Sequence, residues 1–583
     1  MQNVNENPEK TQENEKEIEK RNFFQKWFID KPVAGYDHTK KNFWLYLSLI
    51  GLAIGGYFVN VLVKWTGSWE NASWTLFGLA VLIGVLWLWK IDALGGILRH
   101  FKKYWGWYAL GSLLSFFILY IFEGALIHKY IMALREYSFI VFFIPVMFYT
   151  FKLLIKKETD TLVGKTIVVS LAFLVTGSIA GYLYLGGQQY VAQSMKYADI
   201  NKSIIWLDKK PITTSERVFP RDVYRSILDQ SIGGTRNFSD PDNVMEGIKT
   251  KFYSTVTPIT RTSKFLQGKI TELAVLDADT GNIDIENILK KVNFSVGEGL
   301  VWSREINNYV VKSLHFRYCN VFPTNTQVLK NSKGKFVFVV SLAMWDGWLF
   351  PTPEFYGVAI IEQGEISWAN RAIIGGAKII KVSEFKNYKW LLGQNLNSEI
   401  STRYAAESLR FRNGFWAPAK FNRNDDLVVT DMPGDRNELP LVTAFDINNT
   451  AKLYDFYELK SSRKSSGNAD TYLFFPSDGQ NKIYGYRPKN IVSIAELSRK
   501  VSTINEADTS KKFKFAEPRP FFKKGLPETF IISRVLKRKD GSFDPSGIKT
   551  YTINAKGLQG KFIEVPTYDK NKWLDMSKAA FIK

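Results

Sequence analysis

Apolar residues gather toward the N-terminal end in five long runs, at residues 42–63, 73–89, 104–122, 137–151 and 166–185. A bilayer core about 30 Å thick needs about 20 helical residues at about 1.5 Å each. The first, third and fifth runs reach that length. The second and fourth are short, and Pro145 interrupts the fourth. Aromatic residues sit at many of the ends: Trp44, Trp65, Trp74, Trp87, Trp89, Trp105, Trp107 and Tyr182. Amphipathic rings favour the boundary between hydrocarbon and head groups. The pattern therefore predicts a membrane α-helical bundle of about five transmembrane helices over residues 42–187, after a polar tail of mixed charge at 1–41.

Beyond Gly186 and Gly187 the pattern becomes that of a water-soluble chain. Residues 188–330 read as a mixed α/β subdomain, with short helices expected at 220–228 and 286–292. Residues 331–583 read as a strand-rich α+β subdomain. The continuous apolar run at 336–342 suits a central strand. Further strands are expected at 427–430, 441–445, 472–475, 482–486, 530–536, 550–553 and 561–565, with a hairpin turning at Gln363 and Gly364. Ile491, Ile494, Leu497, Val501 and Ile504 fall at helical spacing and predict an amphipathic helix, and 402–411 predicts a second.

Charge refines this division. Residues 1–187 carry 19 Lys and Arg against 14 Asp and Glu, and the remainder carries 58 against 42. A soluble body this basic favours polyanionic partners: wall polymer, anionic lipid or nucleic acid. Basic residues also bear on orientation. Lys90, Arg99, Lys102 and Lys103 follow the second run, and Lys152, Lys156, Lys157 and Lys165 follow the fourth. The alternate connections hold only Lys64, and Lys129 with Arg135. Positive-inside logic then places the tail in the cytoplasm and, after five crossings, the C-terminal body on the extracytoplasmic side of a cytoplasmic membrane. No charge sits at mid-depth of the runs; Glu123 lies at an edge, with His128 beyond it. Gly51 with Gly55, and Gly177 with Gly181, have the spacing that lets helices approach closely.

Candidate chemistry is sparse. The single cysteine, Cys319, excludes an internal disulfide and a thiolate metal site. Of four histidines only His315 lies in the soluble part, inside a stretch, 314–318, that reads as a strand. The acidic loop Asp277, Asp279, Asp284 and Glu286 can supply oxygen ligands to a cation, but Asn282 stands where a calcium loop needs glycine, so a surface turn is expected and no metal is assigned. Gly164, Lys165 and Thr166 resemble the end of a phosphate loop, but Thr159 stands where its first glycine belongs. Trp345, Asp346 and Trp348 form an aromatic turn that either closes the core or offers a platform to a ligand. No cofactor is implied.

These observations favour a non-enzymatic membrane scaffold that presents a large basic body, with the lipid bilayer and other membrane or envelope proteins as partners. Two alternatives stand beside it. One is an envelope enzyme that works on wall polymer or lipid-linked glycan through paired carboxylates. The other is a channel or transporter with a regulatory soluble domain.

Overall fold

The computed structural model describes residues 91–136 and, between 187 and 582, all but 219–222, 225–226, 229–235, 259–267, 279–288, 315–317, 416–426, 431–439, 462–466, 503–512, 538–542, 557–560 and a few isolated positions. The chain forms two compact units, residues 1–114 and 115–583.

The membrane expectation is corrected by the first described element. Helix α1 (Ile91–Glu136) runs for 46 residues without a break. Among the described residues only Ala109–Lys129 is long and apolar enough to cross a membrane. Among the described residues there is no bundle of five transmembrane helices. The multi-pass placement and the extracytoplasmic C-terminal body, which depended on counting five crossings, fall with it. Arg99, Lys102, Lys103, Lys129 and Arg135, assigned above to connections between helices, all lie within α1. Lysine and arginine are good helix formers, so a dip in hydropathy does not end a helix. The tail at 1–41, the runs at 42–63, 73–89, 137–151 and 166–185, and both glycine pairs lie outside the described residues.

The first strands are β1 (Ile204–Trp206), β2 (Ile212–Ser215), β3 (Arg236–Phe238), β4 (Asp242–Glu246), β5 (Lys249–Pro258), β6 (Ile270–Asp277), β7 (Leu289–Phe294), β8 (Val321–Lys330), β9 (Phe336–Asp346), β10 (Thr352–Ile361) and β11 (Lys378–Lys381). They are followed by β12 (Leu427–Val429), β13 (Leu441–Ile447), β14 (Thr450–Ser461), β15 (Asn468–Pro476), β16 (Ile483–Tyr486), β17 (Ile491–Val492), β18 (Phe513–Pro520), β19 (Thr529–Lys537), β20 (Phe543–Asn554) and β21 (Lys561–Val565). The helices after α1 are α2 (residues 187–203), α3 (Ile306–Leu314), α4 (Glu399–Ser408), α5 (Ile494–Ser502) and α6 (Lys570–Phe581).

Four sheets result. The largest has the order β1-β16-β15-β14-β13-β2, with β12 added on β14 and β17 on β15. Its two ends are joined directly in sequence, by residues 207–211 alone. Six residue steps reach at most about 21 Å, whereas five flat strand spacings measure about 24 Å. The sheet therefore curls, around an aromatic core in which the Phe445 ring meets Phe474 edge-on at 4.9 Å. The sheet β18-β19-β20-β21 shares this core through Phe530, Ile532, Tyr551 and Ile553. A second core lies between the sheet β3-β5-β6-β7, with β4 on β5, and the sheet β11-β10-β9-β8.

Local sequence explains much of this. Seven successive buried residues in β9 mark it as covered on both faces, as its apolar run requires. β10 bulges between Phe355 and Gly357. Gly357 is there because its φ is +151° and a Cβ would meet the Ile380 carbonyl oxygen at 2.1 Å. In α5, Ile494, Leu497 and Val501 are all fully buried. Ser493 caps its start: Ser493 Oγ accepts from the Glu496 amide at 3.4 Å.

Three local expectations are overturned. Residues 289–294, partly expected as helix, form β7, because Val292 and Phe294 are buried while Lys291 and Asn293 are exposed, a period of two. Gly364 makes no hairpin; it bridges in parallel to Phe294. Leu314, expected in a strand, ends α3. The helical turns at 223–224 and 227–228 lie within the helix expected at 220–228.

Candidate functional site

The C-terminal part of α1 docks against α3, and the contact is polar. Glu305 starts α3: its carboxylate accepts from the Asn308 amide at 2.8 Å and from Asn307 Nδ2 at 2.9 Å, an N-cap arrangement. Burial pushes the Glu305 carboxyl above the usual carboxylate range. One turn on, Asn308 Oδ1 accepts from the backbone N–H of Ala125 at 2.6 Å, and its Nδ2 donates to the carbonyls of Trp302 at 3.0 Å and Phe122 at 3.4 Å. A further turn on, the fully buried Lys312 donates to the Ile121 carbonyl at 2.7 Å and to that of Arg371 at 3.3 Å. Its aliphatic chain crosses Gly124, where a Cβ would stand 3.2 Å from Lys312 Cε. Ile121 C=O and Ala125 N–H form one i→i−4 pair of a regular helix. Side chains of α3 therefore reach both ends of a single rung of α1. His128 Nε2 adds a 2.6 Å bond in which the Val321 carbonyl accepts. Trp302, with φ at +57°, places its ring edge-on to Phe122 at 5.3 Å.

Outward from this seam α1 is apolar on every side. Leu113, Leu114, Phe116, Phe117, Ile118 and Leu119 are all exposed, Leu113 at 68% and Trp107 at 74%. Four consecutive residues at 100° intervals cover the whole helix circumference, so this is not one face of an amphipathic helix.

A second feature is an open groove of about 470 Å³ beside β1 and β16. β1 is an edge strand paired in parallel with β16, which sets Trp206 opposite Gly485. The indole lies across that glycine, and a Cβ at Gly485 would meet its ring carbons at 2.8 Å. Arg487 places its guanidinium carbon 4.2 Å from the centre of the Trp206 ring. Lys489 and Lys556 line the groove as exposed cations. Asp208 and Glu528 supply carboxylates, and Glu528 accepts from Tyr486 OH at 2.9 Å. That carboxylate and burial together hold the Tyr486 phenol well above its usual range.

The acids most displaced by burial lie elsewhere. Asp455 is pushed up to about 7 and Glu458 up to about 8. They stand three apart on β14 and so face opposite sides of the sheet, which prevents them from acting as a pair. Asp455 accepts from Ser477 Oγ at 2.6 Å. Glu458 accepts from Thr430 Oγ1 at 2.9 Å and from the Ile494 amide at the start of α5 at 2.9 and 3.1 Å.

Of the residues singled out by sequence, only some are among the described residues. Trp345 stands one residue before the end of β9 and is half-buried, stacked on Phe322 with ring centres 5.9 Å apart. Asp346 is exposed and Trp348 lies outside the described residues. Asp277 ends β6; Asp279, Asp284, Glu286, His315 and Cys319 lie outside the described residues. Glu123 is exposed on α1, and His128 is buried. Sequence reasoning missed Lys312, Asn308, Trp206 and Arg487. A signal existed for the first two: they stand four apart, on one face of a helix whose Ile306, Val310 and Leu314 are apolar. No family model, no curated protein and no solved structure matches the chain.

Proposed function

We propose that the protein is a non-enzymatic scaffold that inserts α1 into a lipid bilayer and holds a large basic β-rich body at the membrane for partner proteins to assemble on. The observation that carries this reading is the apolar exposure of α1 on all sides within residues 107–122, at Trp107, Leu110, Leu113, Leu114, Phe116, Phe117, Ile118, Leu119 and Phe122. The 16 residues of this stretch extend about 24 Å. In water such a surface carries a large hydrophobic cost; in hydrocarbon it carries none, and the helix satisfies its own backbone. Trp107 and Tyr104, near the outer end of that stretch, suit the head-group boundary. At the other end the seam of Asn308 and Lys312 fixes the helix to the body, so force on one is transmitted to the other. The excess of 58 basic over 42 acidic residues beyond residue 187 adds attraction to anionic surfaces. The acids most displaced by burial, Asp455 and Glu458, are engaged in holding the fold, which favours a scaffold over acid–base catalysis.

Flotation of the full chain with neutral phosphatidylcholine vesicles is the test, followed by purification in mild detergent. Cofloating with the vesicles, and recovery from detergent with stoichiometric partners, is expected. A chain that stays at the bottom of the gradient, or that associates only with copies of itself, removes the bilayer from the reading. Recovery as a lone monomer removes the scaffold.

A further inference from the structure

The groove beside β1 brings together three kinds of group. The first is a guanidinium held over an indole ring. Arg487 is exposed, with its guanidinium carbon 4.2 Å from the centre of the Trp206 ring, and its charge also acts on Asp470 and Tyr197. Stacking on an aromatic face orients a guanidinium while leaving the N–H edge available, the geometry that takes an oxyanion in bidentate fashion. The second is a pair of exposed ammonium groups, Lys489 and Lys556, in the same groove. The third is a pair of carboxylates, Asp208 and Glu528. A site for a bare anion gains nothing from carboxylates, which repel it. Carboxylates accept hydrogen bonds from hydroxyls, and the exposed edge of Trp206, itself 40% accessible, offers an apolar surface to the C–H face of a ring.

We propose that this groove binds a phosphate ester of a polyhydroxylated ring, with the phosphate on Arg487, Lys489 and Lys556 and the hydroxyls on Asp208 and Glu528. The site is built into the fold. Trp206 reaches it from the edge strand β1, Gly485 opposite leaves the space its ring occupies, and Tyr486 fixes Glu528 from the next position of β16. The volume of about 470 Å³ fits one or two sugar-sized units, and the open form of the groove admits a ligand carried on a longer chain. Two sources share this chemistry: a free sugar phosphate, and the phosphodiester head group of a glycolipid or inositol lipid.

The full chain in detergent is titrated calorimetrically with glucose 1-phosphate, with glycerophosphoinositol, with glucose and with inorganic phosphate. Binding of one or both esters is expected, at least about tenfold tighter than glucose or phosphate alone, since two sets of contacts act together. Preference for glucose 1-phosphate points to a free monoester, and preference for glycerophosphoinositol to a lipid head group. Arg487→Gln, an exposed position, is expected to weaken ester binding by about tenfold through loss of a charge-assisted bidentate contact. Lys556→Gln, on a different element, is expected to weaken it by a smaller factor. Inorganic phosphate binding as tightly as the esters, ester affinity untouched by both variants, or no binding by either ester each overturns the proposal.

Discussion

Lys312 Nζ donates a 2.7 Å hydrogen bond to the carbonyl oxygen of Ile121, 191 positions earlier in the chain. Burial lowers the Lys312 ammonium to about 8, partly offset by the charges of Glu123 and Glu305. The folded value lies below the ordinary 10.5, so between those limits the unfolded chain binds the extra proton. Stability contributed at this position is therefore smallest below pH 8 and grows as pH rises from about 8 to about 10. Lys312→Met removes the donor and is expected to cost about 2 kcal/mol, the order of a hydrogen bond from a charged group. Amide exchange of residues 121–132 at pH 7.5, 8.5 and 9.5, in the wild type and this variant, tests both points. Protection that rises with pH in the wild type only is expected. Parallel profiles show that Lys312 does not govern the docking.

The exposed stretch of α1 is tested by charge. Leu113→Lys with Phe117→Lys places two ammonium groups on a surface assigned to hydrocarbon, each costing about 2.5–3.5 kcal/mol near mid-depth. Both side chains are exposed, so the fold of the body is expected to be unchanged by circular dichroism. Cofloating with vesicles is expected to fall at least about tenfold. Undiminished flotation assigns membrane binding to another part of the chain.

The buried acids make the opposite pH prediction. Glu458 titrates near 8 in the fold against an ordinary 4.5, and Asp455 near 7 against 3.8, burial being the main cause in each. Between these limits the folded chain holds protons that the unfolded chain has released. Their stabilisation is complete below about pH 4 and is lost as pH rises through 7 and 8. Glu458→Gln keeps an acceptor for the Ile494 amide without the ionisation. It is expected to match the wild type at pH 5 and to exceed it in thermal midpoint by at least about 2 °C at pH 8.5. A wild type equally stable at both pH values, with the variant showing no gain, shows that the carboxylate is accommodated as an ion.

How far these sites were legible in the sequence depends on the range over which their residues act. β9, β13, β15 and β19 each cover a strand expected from a local apolar run. β7 was misread because Leu289 and Val292 share helical spacing, although the alternation from Lys291 to Phe294 points the other way. The count of membrane helices was misread at Arg99, Lys102 and Lys103, where hydropathy falls but helix propensity does not. The groove was illegible for another reason. Trp206 and Arg487 stand far apart in the chain and meet only through the parallel pairing of β1 with β16. One sequence carries no term for such a pairing. What it did contain was an oddity at Ile205 and Trp206, two large apolar residues that end up exposed on an edge strand.

Gly485 offers the sharpest test of how the groove is built. Its neighbour across the strand pair is Trp206, and an added methyl would stand 2.8 Å from two ring carbons and 3.0 Å from Ile204 Cγ2. Real contacts are not that short, so Gly485→Ala must push the indole off the strand. The guanidinium of Arg487 then loses the surface that orients it. Because β1 is an edge strand and the ring is partly solvent-exposed, overpacking here is expected to cost only about 1 kcal/mol of stability. Affinity for the preferred ester is expected to fall by about tenfold, since a freely rotating guanidinium must be ordered again on binding. Gly467→Ala serves as the control, because its added methyl meets only Glu496 Cγ, at 3.8 Å. Calorimetric titration of both variants, with thermal midpoints measured alongside, separates the effects. A loss of affinity at Gly485 alone, with both midpoints near the wild type, supports a platform made by Trp206. Equal affinities in the two variants show that Arg487 is oriented by something other than the indole.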